Sequence, residues 1–366
     1  MSSPARDYKL DAVIRHFQFI GDFSKAIPYG SGHINDTWRL TFHKLGVAVE
    51  YILQRINHNI FTNPVALMEN VERVTFHLAA QMADEPDLER RVLKLIPQRN
   101  GMTWLKDDHG NYWRAYRFIP RTHTVDAVES PEQAFQAAKA FGRFQQLLAD
   151  MPPPRLHDTI PDFHHTLKRF MALQQAITSD VANRAKLVKD EIAFALAHQS
   201  ITNVLLDAGL PVRVTHNDTK INNVLLDDST GEGICVIDLD TVMPGLIHYD
   251  FGDMVRTATS TAVEDERDLS RVHLRFPMFE ALVRGYLSST SDFLTTQEIQ
   301  YLTVSGKLIT FEMGIRFLTD FLAGDVYYKV QRDGHNLDRC RTQFKLVDSI
   351  EQQEEAMDKL VRSIAG

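Results

Sequence analysis

Three oxygen-bearing side chains, Asp218, Asn223 and Asp238, stand where the sequence could do chemistry. They belong to the stretch VRVTHNDTKINNVLLDDSTGEGICVIDLDTVMPGLIHYDFGDMVR, residues 212–256. An apolar run with Val212 and Val214 leads into the polar turn 216–223, and 224–226 leaves it as a short strand. Turn residues fill 227–231, and 234–237 reads as a return strand ending on Asp238. A hairpin of this shape sets Asn223, at its entrance, beside Asp238, at its exit, with Asp218 just upstream on the same side. One carboxylate could then accept the proton of an acceptor hydroxyl while an amide oxygen and a second carboxylate hold Mg²⁺ against nucleotide phosphates. A hard cation that keeps several waters suits so sparse an oxygen set better than zinc does. The chemistry expected is phosphoryl transfer from ATP, with Asp218 catalytic and Asn223 and Asp238 as the metal ligands.

The wording HNDTKINN, followed by IDLDTVMPG and DFGD, resembles the Brenner motif of the aminoglycoside phosphotransferase and choline kinase group, whose fold is protein-kinase-like. Within that group it is most similar to the N-acetylhexosamine 1-kinases. The similarity extends to PYGSGHIN near the start and to IRFLTDFLAGDVYY and HNLDRCRTQFKL near the end, so it spans almost the whole chain. The resemblance implies transfer of the ATP γ-phosphate to the anomeric hydroxyl of N-acetylglucosamine or N-acetylgalactosamine. It also implies that His33, Arg316 and Tyr327 hold the sugar alongside Asp218. The same chemistry with choline, an aminoglycoside or another small alcohol as acceptor is the alternative.

Bulk properties narrow the classes. With 366 residues, 44% of them hydrophobic and 24% charged, the chain can bury a substantial core. A net charge of -8 argues against nucleic acid or an anionic membrane surface as partner, and leaves small molecules. Two cysteines, Cys235 and Cys340, are too few for a disulfide framework and fit a cytoplasmic protein. No apolar run is long enough to span a bilayer.

The elements that must position these residues read as an α+β, two-lobed, protein-kinase-like fold. Residues 1–119 form a small antiparallel-sheet lobe and 120–366 a mostly helical one. Strands over 26–29 and 34–42 flank Gly30-Ser31-Gly32, a turn whose bare backbone could cover phosphates; Pro28 confines the first strand to an edge. A third strand, 47–56, offers Gln54 and Arg55 where a kinase usually places a phosphate-gripping Lys, and Arg55 is the candidate. Asn63-Pro64 starts a helix reaching about Met82. Strands over 93–96, 102–105 and 112–119 complete the sheet, and 117–122 is expected to be the hinge. Ser130, Pro131 and Gln133 read as a capping box, and helices follow near 169–176 and 182–206. Asp162-Phe163-His164-His165 reads as a loop. Asp250-Phe251-Gly252 looks like a metal motif, but Asp250 is better placed as a helix N-cap. A late helix over 297–322, capped from Thr295, carries Glu312, Arg316 and Asp320 on one face.

Overall fold

A computed structural model describes residues 8–30, 34–260 and 262–366 of the chain. The strand expected over 47–56 forms over those residues as β3 (Val47–Ile56), with Tyr51, Leu53 and Arg55 buried on one face. Leu45 and Gly46, with φ of 50° and 80°, make the two-residue turn from β2 (Asp36–Lys44). Two positive values match the twist of a tight antiparallel hairpin. β1 (Asp22–Pro28), β4 (Trp104–Lys106) and β5 (Tyr112–Arg117) complete an antiparallel sheet in the order β1-β2-β3-β5-β4. β1 lies at its edge, as the missing N–H of Pro28 requires. The short α1 (Leu10–Ile14) closes a core of Val13, Phe17, Phe42, Leu53 and Trp113.

α2 (Pro64–Gln81) starts as expected, because the Asn63 side chain accepts the Ala66 N–H at 3.1 Å and Pro64 opens the first turn. α3 (Leu88–Arg91) follows. The strand expected over 93–96 is reduced to two backbone bonds with β5, Ile96 N–H to Ala115 at 2.8 Å and Arg117 N–H to Lys94 at 2.9 Å.

The chain divides into two compact units, one holding residues up to Thr122 together with His157–Ile160, the other holding the remainder. The return of 157–160 has a local cause. Fully buried Asn70 on α2 accepts the His157 N–H at 2.9 Å and donates to the His157 carbonyl at 2.8 Å. The expected lobe boundary at 119/120 does not contain that return.

β6 (Thr122–His123) spans the division. Beyond it, helices dominate: α4 (Pro131–Leu147), α5 (Thr166–Ser179), α6 (Lys189–Ala197), α7 (Val204–Asp207), α8 (Ile247–Ala258), α9 (Phe276–Thr290), α10 (Thr296–Gln300), α11 (Leu302–Ala323) and α12 (His335–Ala365). Between them sit two small antiparallel pairs, β7 (Arg213–Thr215) with β10 (Met243–Gly245) and β8 (Val224–Asp227) with β9 (Gly233–Val236). α9 packs directly on α4, because a side chain at Gly285 would come within 2.2 Å of the Phe135 carbonyl oxygen. Phe141, Phe251, Phe279 and Tyr286 fill one core of this unit; Phe311, Ile315, Leu318 and Phe344 fill a second. Each such side chain contributes roughly 1.5–3 kcal/mol on burial.

Three expectations change in this unit. Ser130 accepts the Gln133 N–H at 3.3 Å, but the Gln133 side chain reaches the Glu129 N–H at 2.9 Å, one residue short of a reciprocal box. The Thr295–Glu298 box does form, yet the late helix breaks at Tyr301 into α10 and α11. The helix expected over 182–206 is broken into α6, α7 and single 3₁₀ turns.

His248, wholly buried on α8, stands 2.8 Å by its Nε2 from the Glu298 carbonyl. Burial pushes its pKa down to about 4. An unfolded chain titrates this group near ~6.5 and therefore takes up the proton first. Stability should fall as pH drops from about 6.5 to about 4, by on the order of 3 kcal/mol in total. In His248→Gln, where an amide can still donate to Glu298, that part of the pH dependence should vanish. Urea denaturation of the two proteins across this range measures it, and equal slopes would refute the assignment.

Candidate functional site

The turn 216–223 is held by backbone and side-chain bonds from four directions. Asn217 takes φ of +65°, a conformation that strains a residue with a side chain by about 1 kcal/mol or more. Its N–H donates to Asp250 Oδ1 at 2.6 Å, and its amide donates to the carbonyls of Thr215 (3.2 Å) and Thr241 (2.9 Å). Its Oδ1 accepts from the Thr215 hydroxyl at 3.1 Å, and its carbonyl lies 2.9 Å from His164 Nε2. β10 approaches this residue closely: a Cβ on Gly245 would stand 2.4 Å from Thr215 Oγ1 and 3.1 Å from Asn217 Oδ1.

His216, fully buried against Phe141 and Phe144, accepts the Asp218 N–H on Nδ1 at 3.3 Å. Its Nε2 is thereby the protonated nitrogen, and it meets the Ile237 carbonyl at 2.9 Å. One imidazole thus ties the turn to the end of the β8–β9 hairpin.

The same hairpin brings the three residues of the expected site into one neighbourhood. The Asn223 carbonyl accepts the Ile237 N–H at 2.9 Å, so Asp238 follows directly after Asn223's cross-strand partner. Asn223 donates to the Asp218 carbonyl at 2.8 Å and to Asp218 Oδ2 at 3.2 Å. Asp238 takes φ of +60° and is exposed, while Asp240 is buried at 2%. With its N–H₂ turned to Asp218, Asn223 leaves its amide oxygen on the other side. An amide oxygen and a carboxylate are hard donors that fit Mg²⁺, which completes its shell with water and phosphate oxygens. Among the described residues no three His, Cys, Asp or Glu side chains cluster as metal ligands, so a site richer in such groups is not on offer.

The Asp218 side chain is 26% exposed, with Oδ1 3.3 Å from Lys220 Nζ. Burial works to raise its pKa, but Lys220 foremost, with Arg256 adding to it, outweighs burial and holds the carboxylate below the usual range. Asp218 in turn raises Lys220. Arg256 did not stand out in the sequence. It sits on α8, paired with Asp253 at 2.7 Å and with Glu264 at 3.4 Å, and adds a second cation near Asp218. The Asp253/Arg256 spacing on one helix was the only available signal.

Asp250 is no N-cap. α8 begins at Ile247, and Asp250 lies inside it with no exposed surface. Its two oxygens accept from the N–H groups of His216 (2.9 Å) and Asn217 (2.6 Å) and from Gln145 Nε2 (2.6 Å). Burial is the largest influence on it and raises its pKa despite those donors. It anchors the turn from beneath and does not face solvent.

A second wall grows from α11. Arg316 stacks over Phe163 at 5.3 Å and Tyr328 at 6.0 Å, and its Nη1 is 3.8 Å from Glu312. Burial works against its charge, but Tyr328, Glu312 and Tyr327 outweigh it. Glu312, expected on an open polar stripe, is completely buried and bonded to His164 and Thr166. Asp320, from the same stripe, holds the next loop by accepting the N–H groups of Val326, Tyr327 and Tyr328 at 2.8–2.9 Å. Tyr327 is 63% exposed on that loop. The buried Tyr328 hydroxyl and Arg169 Nε have no hydrogen-bond partner. Unsatisfied polar groups of this kind call for water or a ligand.

In the first unit, Gly30 takes φ of +85° with open space around it, a conformation natural only to glycine. Ser31, Gly32 and His33 lie outside the described residues. Arg55 donates to Asp36 Oδ2 from Nε and Nη2 (2.7 and 2.6 Å) and lies over the Tyr8 ring. Gln54, on the opposite face of β3, bonds Thr37 and Arg114.

An antiparallel sheet followed by a mostly helical part is the element order of a kinase-like fold. A profile of the APH phosphotransferase enzyme family matches residues 25–280, and the chain belongs to that family. Solved structures agree on the fold. A microcompartment-associated aminopropanol kinase is similar with a TM-score of 0.58 at 16% identity, covering 95% of this chain and 98% of that one. A spectinomycin phosphotransferase in complex with ADP and its drug has a TM-score of 0.57 at 12% identity, over 96% and 99%. An ethanolamine kinase from Plasmodium vivax has 0.52 at 13%, over 87% and 80%. No helix among the described residues is long and apolar enough to cross a membrane.

Proposed function

We propose that the protein is an ATP-dependent kinase that phosphorylates the anomeric hydroxyl of N-acetylhexosamines. Asp218 accepts the hydroxyl proton; its depressed pKa keeps it ionised, and the anomeric hydroxyl is more acidic than an ordinary alcohol. Asn223 and Asp238 would hold Mg²⁺, which when bound neutralises phosphate charge. Lys220 and Arg256 offset charge on the transferring group. In the first unit, Gly30, Ser31, Gly32 and Arg55 would serve the nucleotide; the spectinomycin phosphotransferase of similar fold was solved with ADP. His33, Arg316 and Tyr327 would hold the sugar.

The observation that carries the acceptor choice is Arg316. Its guanidinium lies over two aromatic rings, and Glu312 and then His164 link it to the carbonyl preceding Asp218. A planar fork donates to hydroxyl and acetamide oxygens and repels a quaternary or primary ammonium. Aminopropanol, ethanolamine and choline would meet the wrong charge there.

ADP release with a panel of N-acetylglucosamine, N-acetylgalactosamine, choline, aminopropanol and an aminoglycoside tests the reading. Turnover with the hexosamines and a sugar 1-phosphate product are expected, and turnover with the cationic acceptors alone would overturn it. Arg316→Lys should raise the sugar KM by about tenfold or more while leaving the KM for ATP unchanged, since a point charge replaces the fork.

A further inference from the structure

Beneath the turn, the segment before α5 and helix α11 bury an ion pair that the transfer chemistry itself does not use. His164 Nδ1 lies 2.9 Å from Glu312 Oε1, with the side chains 4% and 0% exposed. The second Glu312 oxygen accepts from the Thr166 hydroxyl at 2.7 Å. The other ring nitrogen, Nε2, stands 2.9 Å from the Asn217 carbonyl. A carbonyl and a carboxylate both only accept, so this geometry asks the ring to donate from both nitrogens, as an imidazolium. Burial opposes that charge most strongly, yet Glu312 and the Asn217 carbonyl outweigh it and raise the His164 pKa. The other charged or titratable groups facing the pair are Arg316 on α11, Arg169 on α5 and Tyr249 on α8.

A buried ion pair is weak evidence for stability, because apolar residues of the same shape often do as well. Position gives it a reason. One end reaches Arg316 through Glu312 at 3.8 Å, and the other grips the carbonyl of Asn217, the residue with strained backbone just before Asp218. Phe163, next in the chain to His164, meets the His164 ring edge to face and lies under the Arg316 guanidinium.

We propose that His164 and Glu312 are positioning residues for phosphoryl transfer: together they tie the Arg316 wall to the Asn217 carbonyl and so hold Asp218 in register with the acceptor. This rests on the reading of Asp218 as the acceptor's base.

The test uses the full chain and the best acceptor from the panel, or slow ATP hydrolysis with water as acceptor if the panel gives none. His164→Phe should lower kcat roughly 100-fold and raise the acceptor KM, with the KM for ATP unchanged. His164→Gln, which keeps a donor for the Asn217 carbonyl, should recover part of kcat. A purely structural role would lower the folded fraction and leave the kinetics of the folded molecules alone. A folded His164→Phe protein with kcat within about threefold of wild type overturns the proposal. Should His164→Phe not fold, ¹⁵N NMR of the wild-type imidazoles decides. Two protonated nitrogens on His164 at about pH 7.5 support the clamp, and a neutral ring there refutes it. Asp218→Asn assayed in parallel separates the layers: an active variant removes the base, whereas an active His164→Phe removes the clamp.

Discussion

Asp218→Asn is expected to cut kcat by about a hundred- to ten-thousand-fold while the protein still folds and still binds ATP. The amide preserves the shape of the carboxylate but cannot take up a proton. Neighbouring contacts predict little structural cost. Asn223 keeps an oxygen to donate to, at 3.2 Å in the native side chain, and the Lys220 ion pair at 3.3 Å is partly exposed and therefore weak. Single-turnover kinetics with saturating ATP, alongside a thermal melt, reads both halves. A variant with kcat within about tenfold of wild type would take Asp218 out of the reaction, because a positioned base is worth more than that.

Asp250→Asn should fail differently. The native carboxylate faces three donors: the N–H groups of His216 and Asn217 and the amide of Gln145. An amide in its place offers one acceptor and turns N–H₂ toward the remaining donors. Leaving a buried donor without its acceptor costs about 1–3 kcal/mol, and here the loss falls on the backbone of the turn that carries Asp218. Displacing that turn by about an ångström is enough to lose a further hundredfold in rate. The expected result is a large drop in the urea midpoint together with low kcat, and no rescue by added Mg²⁺. If Asp250 were a metal ligand, as the Asp-Phe-Gly wording invites, stability would hold and high Mg²⁺ would restore activity. The two outcomes do not overlap.

How far the sequence could be read depended on the range of the interactions involved. β3 and the start of α2 follow from alternation and from an Asn-Pro start, both local signals, and both form where expected. The hairpin joining Asn223 to Asp238 was equally local, since turn residues and two short apolar runs specify it. Asp250 was misjudged because its partners lie 33, 34 and 105 residues away, and no local pattern shows that a helix begins three residues earlier. The pairing of His164 with Glu312, 148 residues apart, escaped for the same reason. The stretch 182–206 looked helical by composition, but Val188, Ile201 and Leu205 pack into the second core as separate short turns. Arg316 and Tyr327 were reached through resemblance, and spacing alone gave only a shared helix face for the former.

Asp320 has a consequence for how acceptor preference could change over evolution. One carboxylate captures three successive amides and the Asn336 side chain, and so ties the loop bearing Tyr327 to α11. Residues 329–334 run from that tie to the start of α12, with Arg332 paired to Asp265 at 3.0 Å. A lineage could lengthen, shorten or rewrite that span, and with it the rim of the proposed acceptor site, while the turn 216–223 stays untouched. The rim of the proposed acceptor site can thereby vary in that span while Arg316 keeps its tie to the turn through Glu312 and His164.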